Sequence, residues 1–263
     1  MHVTFTALAP IHHGQFGLST GNAINFRRFS LVRDGAKIAV PAISGNSLRG
    51  ILRRLVMREL FDHSGVSRET LPGRPWDRLY AALANGGHLD KEQTALDPVY
   101  IRNLREALPP LSVFGAALYS WMLSGRMSVG ILWPVCAETV ALGLVKGEST
   151  MPAEDMIEEI SHVRHVDREQ QDPTVSGVTP MPTTMETLVT GTMLECEITV
   201  GGTDLEAAVI SNGLDMLRTI GAKTASGLGV VRVTGQQDAT AYLEWLNGGT
   251  AEAALRLLAA KLA

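Results

Sequence analysis

Two stretches of this 263-residue chain carry residue types spaced to hold an anion. The first is Val40-Pro41-Ala42-Ile43-Ser44-Gly45-Asn46-Ser47-Leu48-Arg49-Gly50. Pro41 closes a β-like run, and a helix is expected from about Ser47 to Phe61, capped by Ser44 or Asn46. The first turn of a helix has backbone N–H groups without intrahelical partners, and Arg49 and Arg53 fall on one face near it. The second stretch, 221–229, holds Lys223, Thr224 and Ser226 among three glycines. It lacks the P-loop spacing and precedes a strand, not a helix. It reads either as a backbone cradle for phosphate or sugar, or as a tight turn before an edge strand. His12 and His13 lie in a glycine-rich loop and offer an acid and a base for RNA cleavage, although chain neighbours rarely point to one spot. No H-E-x-x-H or paired carboxylate is visible, and Cys136 and Cys196 form no C-x-x-C. No catalytic group, metal or cofactor is therefore expected.

These stretches need a scaffold. Residues 2–9 alternate and read as a strand; 27–32 and 37–40 read as a hairpin turned at Asp34-Gly35. Leu48, Ile51, Leu52, Leu55 and Val56 make the buried stripe of the first helix. Residues 62–125 read as an inserted, largely helical region, because Trp76, Leu79, Tyr80, Leu83, Phe114, Leu118 and Trp121 need burial. Strands are expected over 126–134 and 139–145, then a short acidic helix over 152–160. Residues 161–185 are polar and interrupted by proline, as in a long projecting β-hairpin. A long strand over 186–200, a helix over 204–220, a strand after 229 and a helix over 251–262 complete the reading.

Hydrophobic residues make up 45% of the chain and charged residues 19%, which excludes a disordered tail. No apolar run is long enough to span a bilayer and no secretory signal is visible, so a cytoplasmic protein with no membrane partner is expected. The formal net charge of −4 conceals an asymmetry. Residues 1–74 carry 10 Lys/Arg, Arg27 and Arg28 among them, against 4 Asp/Glu; the remainder carries 13 against 23. A basic face on an acidic body suits a polyanion on one side and protein on the other. Arginine outnumbers lysine 18 to 5. That excess fits bidentate phosphate binding, and equally a GC-rich coding bias.

Residues 41–50 resemble the motif that introduces the first helix in the CRISPR RAMP superfamily, with Asn46 inside it and Ala42-Ile43 before Ser44-Gly45. Residues 221–229 are similar to that superfamily's glycine-rich loop. Phe114-Gly115, followed by Ser124-Gly125-Arg126-Met127-Ser128-Val129, is similar to backbone subunits of its type IV and type III branches. The resemblance implies an α+β fold. A modified RRM (ferredoxin-like) palm with an antiparallel sheet would span 1–263, with helical fingers inserted at 62–125 and a β-hairpin thumb at 161–185. Such subunits assemble head to tail as a homo-oligomeric filament on a guide RNA, beside other effector subunits. The guide pairs with target DNA or RNA, and each thumb displaces one base.

Carried over by motif, Ser44, Asn46, Ser47, Arg49 and Arg53 would meet guide phosphates, and Lys223, Thr224 and Ser226 would supply the glycine-loop contacts. Met181 would be the apolar wedge of the thumb, with Arg164 and Arg168 at its root; Arg27 and Arg28 follow from charge more than motif. Slicing members carry an aspartate between the first strand and the first helix. Residues 21–28 here hold no acid, and Asp34 lies beyond, at the turn. The expectation is a noncatalytic RNA-binding subunit. Its rivals are a RAMP endoribonuclease, maturing guide RNA or slicing target RNA, and an unrelated ferredoxin-like enzyme for small phosphates.

Overall fold

Alternation in the first strand sorts its side chains onto two faces. In β1 (His2–Ala7), Val3, Phe5 and Ala7 are buried, while His2, Thr4 and Thr6 lie opposite. The computed structural model describes residues 1–15, 23–89, 97–119, 121–163 and 182–262. After β1 come β2 (Ala23–Ile24), β3 (Arg28–Arg33), β4 (Ala36–Pro41), α1 (Gly45–Ser64), α2 (Arg74–Asn85) and β5 (Gly87–Leu89). Then follow α3 (Pro98–Ala107), α4 (Pro109–Phe114), β6 (Gly115–Tyr119), β7 (Trp121–Ser124), β8 (Met127–Val129), β9 (Trp133–Pro134) and α5 (Ala137–Ala141). The chain continues through β10 (Ile157–Val163), β11 (Pro182–Leu188), β12 (Met193–Val200), α6 (Asp204–Met216), β13 (Val231–Thr234), α7 (Thr240–Asn247) and α8 (Thr250–Leu262).

The central antiparallel sheet runs β13-β1-β12-β8, and β9 also pairs with β12. One face carries Val3 and Phe5 with Leu194, Cys196 and Ile198. Over it pack α1, through Leu48, Leu52, Val56 and Leu60, and α6, through Val209, Ile210 and Leu214. Each such side chain, fully buried, contributes about 1.5–3 kcal/mol. Gly213 brings the two helices close: a Cβ there would lie 3.0 Å from Val56 Cγ2. This is a mixed α+β layer arrangement. The opposite sheet face is polar, and Glu195 on it binds the amides of Lys146 and Gly147 at 2.7 and 3.1 Å. Among the described residues no helix is long and apolar enough to cross a membrane.

Several boundaries differ from the sequence reading. Helix α1 begins at Gly45 and runs to Ser64, where Gly65 takes a left-handed φ of 66° and ends it. The expected strand over 126–134 is two strands. Between them, Gly130 donates to Glu197, and Leu132 exchanges backbone bonds with Ile43 at the entrance to α1. Residues 139–145 do not form a strand. Cys136 caps α5, and buried Thr139 donates to Pro134 O at 2.6 Å, which turns the chain into a helix. The acidic helix over 152–160 is one 3-10 turn, Ala153–Met156, followed by β10.

The single long strand over 186–200 breaks at Gly191 (φ 93°), whose amide donates to Ala7 O. Helix α6 stops at Met216, because residues 218–220 hydrogen-bond alongside the 229–231 segment. Helix α7 lay outside the sequence reading. Residues 62–125 hold the expected helices and also the three-stranded sheet β5-β6-β7. Strands β10 and β11 pair antiparallel from Ile157↔Leu188 to Val163↔Pro182, and most of the hairpin expected over 161–185 lies outside the described residues. Arg164, Arg168 and Met181 lie outside the described residues.

Candidate nucleic-acid interface

Gly45 explains how α1 can start so close to the central sheet. A Cβ there would collide with the carbonyls of Val129 and Gly130, the latter at 2.6 Å. Ser44 is the N-cap residue but makes no side-chain cap bond, and no acid stands in the first turn. The helix start therefore keeps its electropositive character. Ser44 N donates to His13 Nε2 at 3.5 Å, Arg27 N donates to His13 O at 2.8 Å, and Ala42 N to Arg27 O at 3.2 Å. The fold thus brings Arg27 to the start of α1. The exposed Arg27 guanidinium lies 4.8 Å from the centre of the Phe29 ring. Burial, then Arg27 and His12, push the His13 imidazole down to about 4, so it is neutral at pH 7. Asn46 is exposed and Ser47 half-buried in the same first turn.

Arg49 and Arg53 turn toward the end of α4. Arg49 Nη2 donates to Phe114 O at 2.6 Å; Arg53 Nη2 donates to the same carbonyl and, at 3.0 Å, to Gly115 O. These are C-terminal carbonyls of a helix, which lack intrahelical donors. Glycines make room: a Cβ on Gly86 would strike Arg53 Nη1, and one on Gly125 would lie 2.7 Å from Arg49 Nη2. Burial first, then Arg49, pushes Arg53 down to about 10, and it stays cationic at pH 7. Arg49 Nε is buried without a hydrogen-bond partner. Both arginines also line a groove of about 280 Å³ with Asn46, Gly50, Arg54 and Asn85. They hold the end of α4 to α1 and still reach solvent beside the start of α1.

The glycine loop docks beside the same place. Ala222 N donates to His12 O at 2.7 Å, and Gly229 N to Pro10 O at 2.8 Å. Gly221 (φ 85°) packs so tightly on His12 O that a Cβ would not fit. Lys223 (φ 60°), Thr224 and Ser226 form an exposed 3-10 turn outside this contact. His12 is only 3% exposed, and its Nδ1 lies 2.8 Å from Glu186 O. The 10–14 segment is therefore the hub that sets the glycine loop beside the start of α1.

Arg28 has an internal partner. Its guanidinium makes a bidentate pair with Glu186 at 2.6 and 3.0 Å, and Glu186 also accepts from Phe26 N. Hydrogen bonds from Arg28 hold the Glu186 carboxyl below its ordinary value, against the upward push of burial. Sequence reasoning missed Glu186 because the pair is 158 residues apart. It missed the Phe114 carbonyl because a backbone acceptor leaves no residue-type signal. Among the described residues, no group of three or more His, Cys, Asp or Glu could hold a metal ion.

No family profile and no curated protein matches the sequence. Among solved structures the chain is similar to one titled "Type IV-B CRISPR Complex", with a TM-score of 0.61 and 25% identity over 89% of this chain and 88% of that one. That likeness is consistent with a CRISPR RAMP-type subunit, the class the sequence resembles. The chain it matches in space belongs to a type IV-B complex.

Proposed function

We propose that this protein is a noncatalytic backbone subunit of a CRISPR ribonucleoprotein. It polymerises head to tail along guide RNA in the cytoplasm, grips phosphates without regard to sequence, and leaves bases free to pair with target DNA or RNA. The observation that carries this reading is the likeness to a type IV-B CRISPR complex chain over 89% of the length. In this reading the β13-β1-β12-β8 sheet with α1 and α6 is an RRM-like palm, and the β10–β11 legs are the base of the thumb. The α1 start, with Ser44, Asn46 and Ser47, and the Lys223–Ser226 turn form one phosphate rail. Arg27, Arg49 and Arg53 flank it. Arg28 acts through Glu186 to hold the β3 start in place.

Such contacts suffice for a filament, because base pairing supplies specificity. The test is the size and the 260/280 nm absorbance ratio of the purified protein, followed by the length of extracted RNA. Large particles holding RNA of uniform length are expected. A nucleic-acid-free monomer that binds no RNA at low salt rejects the proposal.

A further inference from the structure

We propose that the cleft between the C-terminal half of α1 and α2 holds one unstacked nucleobase of single-stranded RNA. The base stacks on Tyr80, and the flanking phosphates sit on Arg54 and Arg58. This rests on the reading that the chain binds RNA and adds a base subsite to it. The cleft measures about 440 Å³, within the range of small-ligand sites. Its floor is an aromatic trio. Phe61, 6% exposed, stacks on Tyr80 at 5.8 Å and 26°; Trp76 lies 5.1 Å from Phe61 and 5.5 Å from Tyr80. Tyr80 is 44% exposed, so the stack ends on a ring open to solvent. Every base has a π-face, and such stacking tolerates any sequence.

The charges suit an RNA strand. Arg54 and Arg58, one helical turn apart and exposed, make no hydrogen bond or ion pair among the described residues. Among the described residues Asp62 is the sole acid lining the cleft, and its carboxylate can accept from a base amino group. The cleft shares Arg54 and Ala84 with the groove beside Arg49 and Arg53. From Arg49 to Arg58 the helix rises ~14 Å, about four stacked nucleotides, so one strand can touch both.

The test measures binding of fluorescein-labelled oligouridylate, and of an abasic oligonucleotide of equal length, to the full chain. Wild type, Tyr80→Leu, Tyr80→Phe and the Arg54→Gln/Arg58→Gln pair are compared, with melting curves for each. Tyr80→Leu should weaken oligouridylate binding by about 5- to 150-fold and shrink the abasic penalty, while Tyr80→Phe retains both. The arginine pair should flatten the slope of log affinity against log salt by about 1.4. If wild type binds but Tyr80→Leu keeps its affinity and abasic penalty, the subsite is wrong and the proposed function stands. If wild type binds no RNA, both fail. Loss of self-association at unchanged RNA affinity makes the cleft a protein contact and overturns the inference. Should Tyr80→Leu not fold, an unchanged salt slope in the exposed arginine pair overturns it instead.

Discussion

Arg49 and Arg53 donate to one carbonyl, so removing both should destabilise the fold by more than the sum of the two single losses. Phe114 is fully buried, and its carbonyl accepts Nη2 of each arginine. A hydrogen bond from a charged donor contributes about 1.5–3 kcal/mol, and a buried acceptor left without a donor costs about 1–3 kcal/mol. After either single change to alanine the other arginine still supplies a donor, and the repulsion between the two is relieved. Arg49→Ala should therefore cost about 1 kcal/mol. Arg53→Ala should cost somewhat more, because its 3.0 Å bond to Gly115 O goes as well. The double variant should exceed the sum by about 1–2 kcal/mol, the cost of an unpaired buried carbonyl. Urea unfolding of the four proteins at pH 7 reads this coupling directly. Additivity to within about 0.5 kcal/mol would refute the shared-acceptor account. Under the proposed function, the double variant should also flatten the salt slope of RNA binding by about 1.4.

Gly45→Ala should lower stability by more than about 3 kcal/mol, because its Cβ meets backbone carbonyls that cannot swing away; an unchanged thermal melt contradicts this. Glu186 has a lowered carboxyl pKa, so its contribution is present above its ordinary 4.5 and is lost as pH falls through the lower folded value. Stability of Glu186→Gln should therefore vary less with pH in that acid range, as followed by denaturant midpoints. His13 titrates near 4 when folded against 6.5 when free, so the unfolded chain binds the extra proton between them. Stability should decline from pH 6.5 toward 4, and His13→Gln should reduce that decline; identical pH profiles would remove His13 from the account.

Features set by neighbours in the chain were legible in advance. The β1 alternation, the Asp34-Gly35 turn with φ of 51° and 78°, and the α1 stripe all follow from local dihedral and periodic rules. The start of α1 near Ser44 and the turn within the glycine loop were recognisable because capping residues and glycines mark them in the sequence. Tertiary structure decided the rest. Residues 139–145 have strand-like residue types, but the Thr139 hydroxyl found Pro134 O and Cys136 N and made a helix. Arg28 gained Glu186 from across the chain, and Arg49 and Arg53 gained a carbonyl. Pairs of that kind depend on which distant backbone arrives opposite a guanidinium. Side-chain type along the sequence carries no record of that, because a peptide carbonyl is the same at every residue.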